Sequence, residues 1–227
     1  MAPKAVLFDF SGTLFRLEQN ETWTTLTGGD GDPLDAEAQA ELIRRMTLPV
    51  EQAVEFDEDH QHAWDHRDLD PELHAKASAE VLRQSGLPDA EQAKALYSRL
   101  VDPSQWTPYP DTESVLKTLA GNDIRIAVVS NIAFDIRPAF AARGLDEYVD
   151  KYALSFEEGV IKPDPGIFRV ALDALGVAGP DALMVGDSEK ADGGARALGC
   201  GFALVDPLPT AERTDGLREA VRAHGAL

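Results

Sequence analysis

Cysteine is almost missing from this chain. Cys200 stands alone among 227 residues, which excludes an intrachain disulfide and any cysteine-rich metal site. Set between Gly199 and Gly201 ahead of an apolar run, it reads as a small buried residue. Basic residues are scarce too: 21 Lys and Arg against 40 Asp and Glu leave a formal net charge of −19. Such a surface repels phosphate backbones and anionic lipid, so neither nucleic acid nor a membrane is an expected partner. No stretch approaches the roughly 20 apolar residues that cross a bilayer. The apolar run at the start is too short for a secretory leader and is broken by Asp9. A soluble, cytoplasmic protein is expected, as a monomer or homodimer. The glycine-rich turn of a dinucleotide site or a P-loop is also lacking after that first run, and Gly199-Cys200-Gly201 does not replace it. No internal repeat or low-complexity tract occurs.

What is present is enough for a buried core, with 44% hydrophobic residues in a length that suits one large domain or a core with an insertion. Four short apolar runs, at 5–8, 124–129, 182–185 and 202–205, lack the alternation of half-exposed strands. Runs of that kind suit strands covered on both faces. Between them lie helical spacings with good boundaries. Asp111 is placed to cap a helix carrying Val115, Leu116 and Leu119 and ending at Gly121. Asp164-Pro165 opens another, with Ile167, Phe168, Ala171, Leu172 and Leu175 on one stripe and Gly176 past its end. Strands alternating with helices predict an α/β fold, a doubly wound parallel sheet with ligands outside the carboxyl ends of its strands.

Residues 17–105 read differently, with helical spacings and no comparable strand run. Helices are expected over Ala36–Met46, 60–67, 72–84 and Ala90–Leu100, each behind an aspartate. This stretch is expected to form an all-helical cap domain over the carboxyl edge of a core built from residues 1–16 and 106–227. Gly28-Gly29-Asp30-Gly31-Asp32 lacks the full calcium-loop pattern and reads as a loop. His62 and His66 share a helix face at a spacing that suits zinc, although a solvated pair is the ordinary outcome there.

The strand ends carry the chemistry. The first run delivers Asp9 into Phe10-Ser11-Gly12-Thr13, the second Ser130-Asn131, and the 182–185 run Gly186-Asp187, with Asp192 following. Lys162 precedes the Pro165 helix. Converging at one sheet edge, these groups suit metal-assisted attack on phosphorus. Asp9 is a candidate nucleophile. Asp9 and Asp187 offer hard oxygens for Mg²⁺, with the Ser11 carbonyl completing the shell. Lys162 and Ser130 can hold phosphoryl oxygens, and backbone amides of residues 10–13, Ser11, Gly12 and Thr13 among them, form an anion-binding turn. Asn131 is a candidate phosphate or substrate contact. So is Arg16, which could instead form a hinge salt bridge.

The chain resembles the haloacid dehalogenase-like hydrolase superfamily in four motifs taken in the family's order. These are residues 6–14 through Asp9, residues 128–131, residues 159–165 through Lys162, and Val185-Gly186-Asp187-Ser188 with Asp192. The resemblance implies a Rossmann-like core, Asp9 as nucleophile, Ser130 and Lys162 as phosphate ligands, and Asp187 with Asp192 at a Mg²⁺ site. A small phosphorylated metabolite is the implied substrate. One position departs from the pattern. Most phosphatases of the family carry an acid–base aspartate two residues after the nucleophile, and here that residue is Ser11. A hydroxyl cannot replace a carboxylic acid whose help is worth ~10²–10⁴-fold. Hydrolysis is then slow, restricted to activated leaving groups, or served by another proton donor. A phosphomutase, a dehalogenase and a weakened phosphate-binding or regulatory protein are the alternatives, although dehalogenases of the family place an aromatic residue where Ser11 stands.

Overall fold

Strands apolar at nearly every position need cover on both faces, and residues 5–8, 126–129 and 182–185 have it in the computed structural model, which describes residues 2–18, 26–47 and 52–227. The 202–205 run lies instead at the sheet edge, with Leu204 53% exposed. The chain runs through β1 (Ala5–Phe8), β2 (Phe15–Leu17), α1 (Ala36–Met46), α2 (Glu58–His66), α3 (Pro71–Gln84), α4 (Ala90–Leu100), β3 (Trp106–Pro108) and α5 (Thr112–Gly121). It continues with β4 (Arg125–Ser130), α6 (Arg137–Ala141), β5 (Lys151–Leu154), α7 (Ser155–Glu158), α8 (Pro165–Leu175), β6 (Ala182–Gly186), β7 (Gly201–Leu204) and α9 (Gly216–Ala223).

Five strands form one parallel sheet in the order β5-β4-β1-β6-β7. Successive side chains alternate between two hydrophobic clusters. Val6, Phe8, Ile126, Val128, Leu183 and Val185 face α5, α6 and α9. Ala5, Leu7, Ala127, Val129, Ala182 and Met184 face α8. Each large side chain so buried is worth about 1.5–3 kcal/mol. The α/β expectation holds, and the chain leaves β1 toward β4 on one side and returns to β6 on the other. Their carboxyl ends therefore flank the switch point where such sheets bind ligands.

β5 lies outside the four expected strands. Lys151 and Tyr152 are half-buried at the sheet edge, so the segment lacks the continuous apolar character that marks the inner strands. Asp111 also behaves differently from its expected role. It makes no side-chain cap to α5; its Oδ2 accepts from Arg218 N in the first turn of α9 at 3.0 Å. α8 matches its signals, with Asp164 accepting from Gly166 N and Gly176 left-handed at φ 66°.

Helices α1–α4 lie between β2 and β3 in the chain, and those two strands pair antiparallel, Phe15 opposite Pro108 and Leu17 opposite Trp106. Residues 19–25 and 48–51 of this stretch, and Met1, lie outside the described residues. The caps are Asp35, Asp57, Asp70 and Asp89, each accepting from an amide in its first turn. α2 begins earlier than expected because Asp57 rather than Asp59 is its cap. Leu42, Ile43, Met46, Leu96 and Leu100 join the same cluster as Phe10, Leu14 and Phe15. Trp106 sits at that junction, 4.8 Å from the Phe10 ring, with its indole N–H donating to Leu100 O at 2.9 Å. Such ring pairs add about 0.5–1.5 kcal/mol each beyond burial. Cys200 is buried, as expected. Among the described residues no helix is long and apolar enough to cross a membrane.

Candidate active site

Where β1 ends, the chain turns sharply. The Asp9 amide still extends the sheet ladder, donating to Val185 O at 3.0 Å, and the Phe10 carbonyl then accepts from the amides of Leu14 and Phe15 at 3.1 and 2.9 Å. The turn needs Gly12, which is left-handed at φ 71° and so close to Asp187 that a Cβ there would overlap its carboxylate. Arg213 secures the turn from behind. One guanidinium nitrogen donates to Gly12 O at 2.6 Å and to Asp206 O at 3.0 Å, and the other donates to Thr13 O. The guanidinium also stacks on the Tyr109 ring, 3.2 Å from its centroid. Nothing in the sequence around Arg213 signals this role.

Three further segments bring their groups to the same edge. Ser130 ends β4 and is almost fully buried. Asn131 clamps the next loop in both directions, its Nδ2 donating to Lys162 O at 3.0 Å and its Oδ1 accepting from Lys162 N at 2.7 Å. That clamp aims Lys162, whose Nζ donates to Asp9 Oδ1 and Asp192 Oδ1, both at 2.7 Å. Asp192 is in turn held by Ser188 N, 2.9 Å from its Oδ2. Gly186 leaves room for it, because a Cβ there would overlap the Asp192 carboxylate.

Packing three carboxylates beside one lysine shapes their protonation. Burial lifts Asp9 to about 6, against the lowering pull of Lys162. Burial and then the charges of Asp9 and Asp192 lift Asp187 to about 8. Burial disfavours the Lys162 cation, but Asp192 and Asp9 outweigh it and hold the amine above its usual range. Three carboxylates thus face a single cation, Lys162. Asp9, Asp187 and Asp192 offer one oxygen each within 4.8 Å of one another. Mg²⁺ binds oxygens at about 2.0–2.1 Å, so this donor set needs only a small contraction to hold one. The residues fit the ion.

Asp9, Ser11, Ser130, Asn131, Lys162, Asp187 and Asp192 all line one cavity of about 70 Å³. Gly12 and Arg16 line an adjoining cleft that shares Ser11 and Asp187 with it. Arg16 is engaged there with Pro207 O and stands 3.5 Å from Glu18. Thr13 is fully buried, its hydroxyl without a partner. The His62 and His66 rings lie 4.4 Å apart, tilted by 37°, outside any three-ligand cluster among the described residues. The same cavity also takes in groups from the segments around α1, α2 and α3, of which Thr47 and Asp68 carry no signal in the sequence. Thr47, Asp68 and His74, with Arg67, face the site beside Leu100, Trp106 and Phe134.

The chain is similar to known proteins. The haloacid dehalogenase-like hydrolase family matches residues 3–199; Arg213 lies beyond that span. The mouse haloacid dehalogenase-like hydrolase domain-containing protein 3 is 34% identical over 149 residues, 62% of this chain and 59% of its own. A phosphoserine phosphatase of Thermus thermophilus is 37% identical over 43% of this chain and 40% of its own. A ribulose-1,5-bisphosphate 5-phosphatase of Halopiger xanaduensis is 36% identical over 50% of this chain and 47% of its own. The chain thus spans about half the length of these relatives. Among solved structures, the L-2-haloacid dehalogenase of Xanthobacter autotrophicus superposes with a TM-score of 0.60 at 26% identity, over 96% of this chain and 83% of that one. With a parallel sheet and a matched span of nearly its whole length, the chain belongs to the haloacid dehalogenase-like hydrolase family.

Proposed function

We propose that the protein is a Mg²⁺-dependent phosphatase of a small phosphorylated metabolite, working through an aspartyl-phosphate on Asp9. The observation that carries this reading is the buried Asp9–Lys162–Asp192 network with Asp187 beside it. Lys162 occupies one Asp9 oxygen, which orients the carboxylate and leaves its other oxygen to attack phosphorus. The ammonium and the Ser130 hydroxyl then receive phosphoryl oxygens as charge is redistributed. Asp9, Asp187, Asp192 and the Ser11 carbonyl would hold the Mg²⁺, which when bound neutralises phosphoryl charge. The phosphatases among the relatives support the reaction class. Residues 17–105 act as a cap domain on a core of residues 1–16 and 106–227, excluding water from a cavity that suits only a small substrate.

The test is a panel of alkyl, aryl and acyl phosphates assayed with Mg²⁺ or with chelator. Phosphate release is expected to need the metal and to fall to background in Asp9→Asn. Metal-independent halide release from 2-haloacids would instead establish a dehalogenase. Ligand-induced stabilisation without turnover would establish a binding protein.

A further inference from the structure

In-line displacement at phosphorus determines where a proton is needed. With Asp9 attacking from the carboxyl edge of the sheet, the leaving oxygen departs on the side away from Asp9. Besides the groups at the strand ends and their loops, the polar side chains lining the cavity include Thr47, Arg67, Asp68 and His74. Arg67 is a permanent cation and gives up no proton. Burial holds His74 down at about 4, so it is neutral near pH 7. The hydroxyls of Thr47 and Ser11 are far too weak as acids. Among the described residues, Asp68 is the one carboxyl lining the cavity outside the Asp9, Asp187 and Asp192 cluster.

Resting on the phosphatase reading, we propose that Asp68 is the general acid for the leaving group, filling the part that position 11 does not fill in this chain. Its placement is built rather than incidental. The Ser155 hydroxyl donates to Asp68 O at 2.5 Å and accepts from Ile132 N at 2.8 Å, and Ile132 lines the same cavity two residues after Ser130. One buried hydroxyl thus ties the backbone of residue 68 to the sheet edge that carries the site. Asp68 itself is only 9% exposed, and burial holds its carboxyl above the usual range against the charges of Arg67 and Lys162. Arg67 Nη2 stands 3.7 Å from Asp68 Oδ2, too far to hydrogen-bond the carboxyl into a fixed carboxylate. The other titratable and charged groups of the cavity are Arg67, His74, Lys162, Asp9, Asp187 and Asp192.

The proton balance is simple. As the bond from Asp9 to phosphorus forms and the ester P–O bond breaks, the Asp68 proton passes to the departing oxygen. An alcohol leaves, and Asp68 remains as a carboxylate. It then accepts a proton from the water that attacks the aspartyl-phosphate. The Asp9–phosphorus bond breaks, phosphate departs and the acid is restored.

The full chain with Mg²⁺ tests this on a small alkyl phosphate and on p-nitrophenyl phosphate, whose leaving group needs no acid. Asp68→Asn is expected to lower kcat/KM on the alkyl ester by ~10²–10⁴-fold and on the aryl ester by less than ~10-fold. Its alkyl profile should also lose the fall at high pH. Equal losses on both esters would make the residue structural and overturn the assignment, while leaving the phosphatase reading intact. If the variant does not fold, the wild-type protein decides. Rates nearly independent of leaving-group pKa support an acid at this position, and a steep decline with rising leaving-group pKa overturns it. Hydrolysis of no phosphate at all would overturn the phosphatase reading, and this assignment with it.

Discussion

Gly12 brings its backbone against the Asp187 carboxylate in a left-handed turn, and both features exclude a side chain. Gly12→Ala should cost about 1–2 kcal/mol from the backbone alone and push Asp187 away from its partners. Thermal melts check this directly. Mg²⁺ should raise the Tm of the wild-type protein and leave that of Gly12→Ala nearly unmoved; an equal rise in both would mean that Asp187 does not hold the ion. At this scale the sequence is legible where a residue sits in a local motif. Asp9, Ser130, Asn131, Lys162, Asp187 and Asp192 all stand at strand ends or loop signals, and the structure brings them to one cavity. Arg213 and Asp68 carry no such mark. Arg213 reaches the turn after β1 across 201 residues of chain, and Asp68 lies in an acidic stretch that reads as solvated surface until its burial is known.

Elements were legible in proportion to how much of their stability is local. The four caps of α1–α4 are aspartates hydrogen-bonded within three residues, so their positions follow from short-range chemistry worth about 0.5–2 kcal/mol each. Inner strands betray themselves by unbroken apolarity. β5 does not, because its edge position asks for less burial. Asp111 misleads for the converse reason: its partner amide belongs to α9, 107 residues away. α3 supplies the element-scale prediction. His74 is buried against Tyr97, with Nδ1 3.0 Å from its hydroxyl, and burial lowers its pKa from 6.5 to about 4. The unfolded chain takes up a proton below pH 6.5, while the folded chain does so only near pH 4. Stability due to this group is therefore complete above pH 6.5 and is lost as pH falls to about 4, by roughly 3 kcal/mol. Urea unfolding of His74→Gln beside wild type should show a shallower acid loss in that window. Parallel curves would contradict a neutral buried imidazole.

The molecule as a whole concentrates its chemistry where its topology reverses. A net charge of −19 surrounds a site that, as a phosphatase, would have to attract an anionic phosphoryl group, so local positive charge would have to overcome the field of the surface. Lys162, a bound Mg²⁺ and the amides of the nucleophile turn supply it in this account. The hydrophobic cluster running from β1 through Phe10, Phe15 and Trp106 into α1 and α4 makes the wall bearing Asp68 and the edge bearing Asp9 parts of one packed body. Everything rests on the covalent intermediate. The most direct measurement is rapid acid quenching of the Mg²⁺-loaded protein during turnover of a radiolabelled phosphate ester, followed by peptide mapping. The account predicts label on the peptide containing Asp9, absent with chelator and absent from Asp9→Asn. Sustained turnover with no label on that peptide, or with label elsewhere, would contradict it.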